Sequence, residues 1–87
     1  GCNVARSPIS ATARRAVTAA AVRTLKQCGA SNGLEISLRP RHGEVDVFID
    51  SDRPVAPTAR EAIRTVVRAA LAPYTDNWVY TQVYFSR

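Results

Sequence analysis

The residues best suited to recognition cluster in the closing segment, Trp78-Val79-Tyr80-Thr81-Gln82-Val83-Tyr84-Phe85. The segment alternates, and as a strand it sends successive side chains to opposite faces. Val79, Thr81, Val83 and Phe85 then share one face, while Trp78, Tyr80, Gln82 and Tyr84 share the other. The single Trp and two of the three Tyr therefore occupy one surface. Such a surface can anchor a protein interface, where Trp and Tyr are favoured. It can also stack on nucleic-acid bases or on sugars. A third reading is structural: the rings pair across strands or lie under the chain's own N-terminal arm.

A second candidate is the row Arg60, Arg64 and Arg68, each four residues apart on a predicted helix. Like charges at this spacing cost a few tenths of a kcal/mol per pair. Glu61, Asp76, a phosphate or an acidic partner could offset that cost, and Arg suits bidentate contact to carboxylate or phosphate. The alternative is a solvated basic face with no ligand.

Catalytic constellations are weak. His42, the single His, stands beside Arg41 and Gly43 in a turn signal and reads as a solvated turn residue. No Ser has nucleophile-elbow context, and no glycine-rich phosphate loop occurs. Asp50-Ser51-Asp52 offers oxygens but lacks the spaced ligand set of a calcium loop. Neither Cys2 nor Cys28 has metal-ligand spacing. We expect no enzymatic activity, no cofactor and no metal site.

The 87 residues suffice for one small domain, and 46% hydrophobic content supports one core. No apolar run reaches the roughly 18–20 residues of a membrane span. The formal net charge of +5 is unevenly placed. Residues 1–29 carry Arg6, Arg14, Arg15, Arg23 and Lys26 with no acid, residues 30–53 are net acidic, and residues 54–87 are again basic. A basic balance admits nucleic acid, anionic lipid or acidic protein partners.

The elements that must position these residues follow in order. Residues 1–7 read as an arm and 8–87 as a single domain. Ser7-Pro8, or alternatively Ser10, starts a helix whose apolar residues recur at Ile9, Ala13, Ala16, Val17, Ala20, Ala21, Leu25 and Cys28. Gly29 ends it. Residues 34–38 and 44–50 alternate as two strands of a hairpin with a longer loop through Pro40-Arg41-His42-Gly43. Phe48 interrupts the polar face of the return strand, on the side expected for Trp78, Tyr80 and Tyr84. Thr58 and Glu61 form a capping box for a second helix. Its apolar face is Ala59, Ala62, Ile63, Val66, Val67, Ala70 and Leu71, and Pro73 with Thr75-Asp76-Asn77 stops it. The expectation is an α+β, α-β-β-α-β two-layer sandwich: a three-stranded sheet with two helices on one face. The position of the last strand stays open. The Arg row then lies on the far side of the sheet from the aromatics, which favours a protein contact over a base-stacking platform.

Gly1-Cys2 matches the end of a bacterial lipobox, and the chain contains no Met. The expected state is a processed product or a fragment of a longer chain, and on the lipobox reading Cys2 is lipidated and its acyl chains anchor the protein to a membrane. A Cys2–Cys28 disulfide and two free thiols are the other readings. With this start, the α-β-β-α-β order over residues 8–86 resembles small bacterial envelope domains: ring-building motifs of secretion-system lipoproteins, secretin N-terminal domains and the BON domain. Val79-Tyr80 through Val83-Tyr84-Phe85 is similar to the final strand of sporulation-type lipoproteins. The resemblance implies a non-enzymatic assembly role in the bacterial cell envelope, in the periplasm or at the extracytoplasmic face, with a protein partner or self-association. Phe48, Trp78, Tyr80, Tyr84, Arg60, Arg64 and Arg68 would form the interfaces. A small basic nucleic-acid-binding domain is the alternative. KH domains share a related order, but their Gly-x-x-Gly loop between helices is missing from the sequence.

Overall fold

The computed structural model describes residues 11–87. Helix α1 (Ala11–Gln27) is followed by strands β1 (Leu34–Arg41) and β2 (Glu44–Ser51), helix α2 (Pro57–Leu71), a 3₁₀ turn at Trp78–Tyr80 and strand β3 (Val83–Phe85). The two helices pack together and against a three-stranded mixed sheet. The proposed starts of α1 at Ser7-Pro8 or Ser10, its apolar residue Ile9, and Cys2 lie outside the described residues.

Helix α1 is Ala-rich, and Ala is the best helix former. It buries Ala13, Val17, Ala20, Ala21, Thr24 and Leu25. Gly29 terminates it at φ +82°, a conformation that carries no Cβ penalty for glycine. The Ala30 amide donates to Leu25 O (3.2 Å) and the Gly29 amide to Lys26 O (2.9 Å), the double bond of a Schellman cap. Cys28 belongs to this cap, and its thiol is free and exposed, not part of the buried stripe.

The hairpin is tighter than its sequence suggested. Pro40 and Arg41 extend β1, and only His42 and Gly43 form the loop. His42 (φ 49°) and Gly43 (φ 82°) both take positive φ, as a type I′ turn requires. Asn77 Nδ2 donates to Gly43 O at 2.6 Å, so the turn is tied to the entry of the last strand. The Asp52 amide donates to Gly33 O at 3.1 Å. Alternation along the antiparallel ladder then points the odd-numbered amides and carbonyls of β1 at β2 and the even-numbered ones outward. Pro40 falls on the outward side, where its missing N–H costs no bond to β2.

Strand β3 lies beside β2 and parallel to it, so the sheet order is β1-β2-β3. Helix α2 supplies the crossover that a parallel connection needs. It starts at Pro57 with Ala56 as its cap residue and makes no side-chain cap bond. The Thr58–Glu61 capping box is therefore not formed. Pro at the first helical position sets φ and lacks only an amide that would be orphaned anyway. Ala59, Ile63, Val67 and Leu71 are buried. They meet Val17, Ala21 and Leu25 of α1 and Ile36, Val45, Val47, Ile49 and Val83 of the sheet in one core. Burying each large aliphatic side chain contributes about 1.5–3 kcal/mol.

The continuous closing strand is a correction. Residues 78–80 form a 3₁₀ turn, with Tyr80 N–H donating to Asn77 O (3.0 Å) and Thr81 N–H to Trp78 O (3.2 Å). Trp78 packs its ring against the core, which the extended register would forbid. Val79 is consequently exposed, while Thr81 and Val83 are buried.

Replacing Gly43 with Ala forces an L-residue into the left-handed region and brings a methyl within 3.4 Å of Asn77 Nδ2. The expected loss in urea unfolding is about 1–2 kcal/mol. An unchanged midpoint would contradict the turn assignment.

Candidate interaction surface

The sheet turns Ile36 of β1, Val45, Val47 and Ile49 of β2 and Val83 of β3 toward the helices. Alternation leaves Glu35, Ser37, Arg39 and Arg41, then Glu44, Asp46, Phe48 and Asp50, then Tyr84 on the opposite face. Phe48 and Tyr84 are register partners on neighbouring strands. Their rings stack at 4.9 Å between centroids with 21° between planes. The Arg39 guanidinium lies over the Phe48 ring, 4.8 Å from its centroid. Offset ring stacking and a cation over a ring face each contribute roughly 0.5–1 kcal/mol at such partly exposed sites. Together they fix a rigid, three-layered patch whose outer ring, Tyr84, is 45% exposed.

This face is acidic on balance: four carboxylates accompany two guanidiniums. Asp46 is 4% exposed, and its Oδ2 pairs with Arg41 Nη1 at 3.4 Å, with Arg39 directly opposite on β1. A buried carboxylate needs such a partner. At the other end of the face Glu35 stands directly opposite Asp50, a like-charge cross-strand pair that is destabilising. Ser86 Oγ donates to Asp50 Oδ1 at 2.8 Å and thereby engages one of these carboxylates. Among the described residues no group of three or more His, Cys, Asp or Glu side chains could hold a metal ion. His42 is an exposed turn residue.

The structure brings Phe48 and Tyr84 together as expected, but not Trp78 or Tyr80. Trp78 is half-buried against the core. Tyr80 is 62% exposed and sits in the 3₁₀ turn before β3, outside the sheet's alternation. Arg39 was not singled out from sequence. Its signal is diagonal: it pairs with Asp46, two positions from Phe48 on β2, within reach of a long side chain.

The Arg row of α2 is the larger correction. Arg60, Arg64 and Arg68 are half-buried rather than a solvated ridge. Arg68 Nε donates to Thr81 O at 2.9 Å, Arg64 Nε to Val83 O at 3.4 Å, and Arg60 Nε to Val55 O at 3.0 Å. Arg64 also pairs with Glu61. Arg60 and Arg64 lie over the Phe85 ring at 5.6 and 5.2 Å. The bonds from Val47 N–H to Gln82 O (2.8 Å) and from Ser86 N–H to Ile49 O (2.9 Å) show that even-numbered groups of β3 face β2. Thr81 O and Val83 O therefore point away from the sheet, at its outer edge. Arg64 and Arg68 cap that edge through their Nε atoms, and Arg60 caps Val55 O before α2, so the row is packed against backbone carbonyls and is not a fully solvated ridge.

Arg68→Met keeps the apolar stem but loses a charge-assisted bond, with an expected cost of about 1.5–3 kcal/mol in urea unfolding. Arg23→Met on the exposed side of α1 should stay within about 0.5 kcal/mol. Equal effects at the two positions would return the Arg row to a solvated ridge.

Comparison with family models, with curated proteins and with solved structures returned no match. What stands is the fold: α+β, in the order α-β-β-α-β, with a three-stranded mixed sheet.

Proposed function

We propose that this chain is a non-enzymatic binding and assembly domain of the bacterial cell envelope, possessing one docking face: the open side of the sheet. The observation that carries this reading is the Phe48–Tyr84 stack under Arg39, half-exposed on a sheet face with no helix over it among the described residues. Rigid aromatics beside an Arg are the side-chain types that dominate protein interfaces. Their rotamers are already fixed by stacking, so little side-chain entropy is lost on docking. The acidic balance of the same face opposes nucleic acid, which takes its affinity from phosphate neutralisation. The three guanidiniums of α2 each donate through Nε to a backbone carbonyl, which leaves the exposed cations of α1 as the main basic surface among the described residues.

The envelope location rests on Gly1-Cys2 and on the resemblance of the α-β-β-α-β order to envelope domains. A role within a secretion or other envelope complex follows from the same likeness. In this reading Cys2 carries the acyl anchor, and loss of fatty-acid labelling in Cys2→Ser checks that part.

The docking reading is tested by placing a photo-crosslinking residue at position 84 and, as a control, at position 61 on α2, in cells that express the full protein. Protein adducts at 84 that disappear in a Phe48→Ser background and are missing at 61 are expected. Purified protein titrated with labelled RNA and DNA at two salt concentrations should show no salt-sensitive binding. Nucleic-acid adducts at 84, or salt-sensitive binding, would replace the proposal with the alternative.

A further inference from the structure

The sheet has two edges, and they are treated differently. The β3 edge is closed by Arg64 and Arg68, whose Nε atoms donate to Val83 O and Thr81 O. The β1 edge is bare among the described residues. Leu34, Ile36 and Leu38 point their amides and carbonyls outward, as the ladder parity fixed by the Asp52 N–H to Gly33 O bond requires. A cleft of about 560 Å³ runs along this edge, lined by β1, by Arg14 and Thr18 of α1 and by Phe48 and Asp50. An unpaired edge is a template for another strand.

We propose that the β1 edge pairs antiparallel with the β1 edge of a second copy of this chain, across a two-fold axis at Ser37. The occupant follows from the charges. In that register Glu35 faces Arg39 of the second copy, and Arg39 faces its Glu35. The parity agrees: residues 35, 37 and 39 turn their backbone groups to β2, so these pairs are non-hydrogen-bonded across the seam and bring their side chains closest. Ile36 and Leu38 lie opposite each other as a hydrogen-bonded pair, twice, with both outward amides and both carbonyls used. Their side chains sit on the helix side and join the two cores. Pro40 falls opposite Leu34 at the two ends of the ladder, where its missing N–H removes only the outermost bonds.

The pairing also answers an internal conflict. Glu35 stands opposite Asp50 within one chain, and the second copy's Arg39 sets a cation beside that pair. The result is a six-stranded sheet with two Phe48–Tyr84 stacks on one continuous open face, their Phe48 residues three strand spacings or about 14 Å apart. The interface uses the strand edge, so it stands or falls separately from the docking role of the stacks.

The test is sedimentation equilibrium of the full chain from about 10 μM to 1 mM, a range that captures weak dimers. Wild type is expected to dimerise. Glu35→Lys sets the introduced ammonium against Arg39 twice across the seam and should weaken association about tenfold, given pair energies on sheets. The same change makes the cross-strand pair with Asp50 attractive, so the monomer should melt no lower than wild type. Arg39→Glu should also weaken self-association, while an equimolar mixture of the two variants should recover it as a heterodimer. Tyr84→Ser should dimerise like wild type, which separates this outcome from failure of the docking face. A monomeric wild type at the top concentration overturns the pairing, as does a dimer indifferent to Glu35→Lys or a mixture without recovery. Slow amide exchange at Ile36 and Leu38 in a monomer would assign the edge to the chain's own residues 1–10 and would equally overturn it.

Discussion

Three guanidinium-to-carbonyl bonds from one helix decide the shape of this domain. Strand β3 is three residues long and pairs with β2 over only that length. So short a parallel strand at a sheet edge has few ladder bonds of its own. Arg68 and Arg64 reach from α2 to Thr81 O and Val83 O, and Arg60 reaches to Val55 O at the other end of the crossover. Charged donors make stronger hydrogen bonds than neutral ones. The bonds of Arg64 and Arg68 fasten the crossover helix to the strand that it delivers, and the Phe85 ring under Arg60 and Arg64 adds apolar contact along the same seam. With β3 fixed, Tyr84 is held at the register that stacks it on Phe48.

One consequence is a division of labour between surfaces. Each Arg of α2 spends its Nε donor on a backbone carbonyl, although the chain carries a formal charge of +5. Among the described residues the sheet presents an acidic face bearing a stacked aromatic pair, and one strand edge that no other element pairs with. The exposed cations of α1, Arg14, Arg15, Arg23 and Lys26, lie on the other layer. The sheet face itself presents rings, carboxylates, Arg39 and Arg41, with Arg14 of α1 at its β1 margin.

Much of this was legible in the sequence where period and chemistry agree. The apolar stripes of both helices, the two hairpin strands and Gly29 as a stop follow from spacing and from the absence of a Cβ. That Phe48 and Tyr84 share a face followed from counting alternation on two strands, and the pairing of β3 with β2 makes them neighbours. The alternation of residues 78–85 misled, because a period of two in side-chain type does not oblige the backbone to extend. Trp78 gains more by packing on the core than by standing on an open face, and a 3₁₀ turn delivers it there. Thr58 and Glu61 fit a capping box, but Pro57 already satisfied the geometry one residue earlier. The roles of Arg60, Arg64 and Arg68 depend on which face of α2 meets β3, and sequence alone allowed β3 at either edge of the sheet. Arg39 and the buried Asp46 became visible only once the hairpin register was set.

The claim that the Arg row holds β3 is tested most directly by amide hydrogen exchange in an Arg64→Met, Arg68→Met double variant. The amides of Val47 and Ser86, which report the β2–β3 ladder, should exchange about tenfold faster or more for the loss of charge-assisted bonds worth at least 1.5 kcal/mol. The Phe48 and Ser37 amides within the β1–β2 hairpin should slow or quicken far less. Unchanged exchange at Val47 and Ser86, or one uniform acceleration across all three strands, would contradict the account.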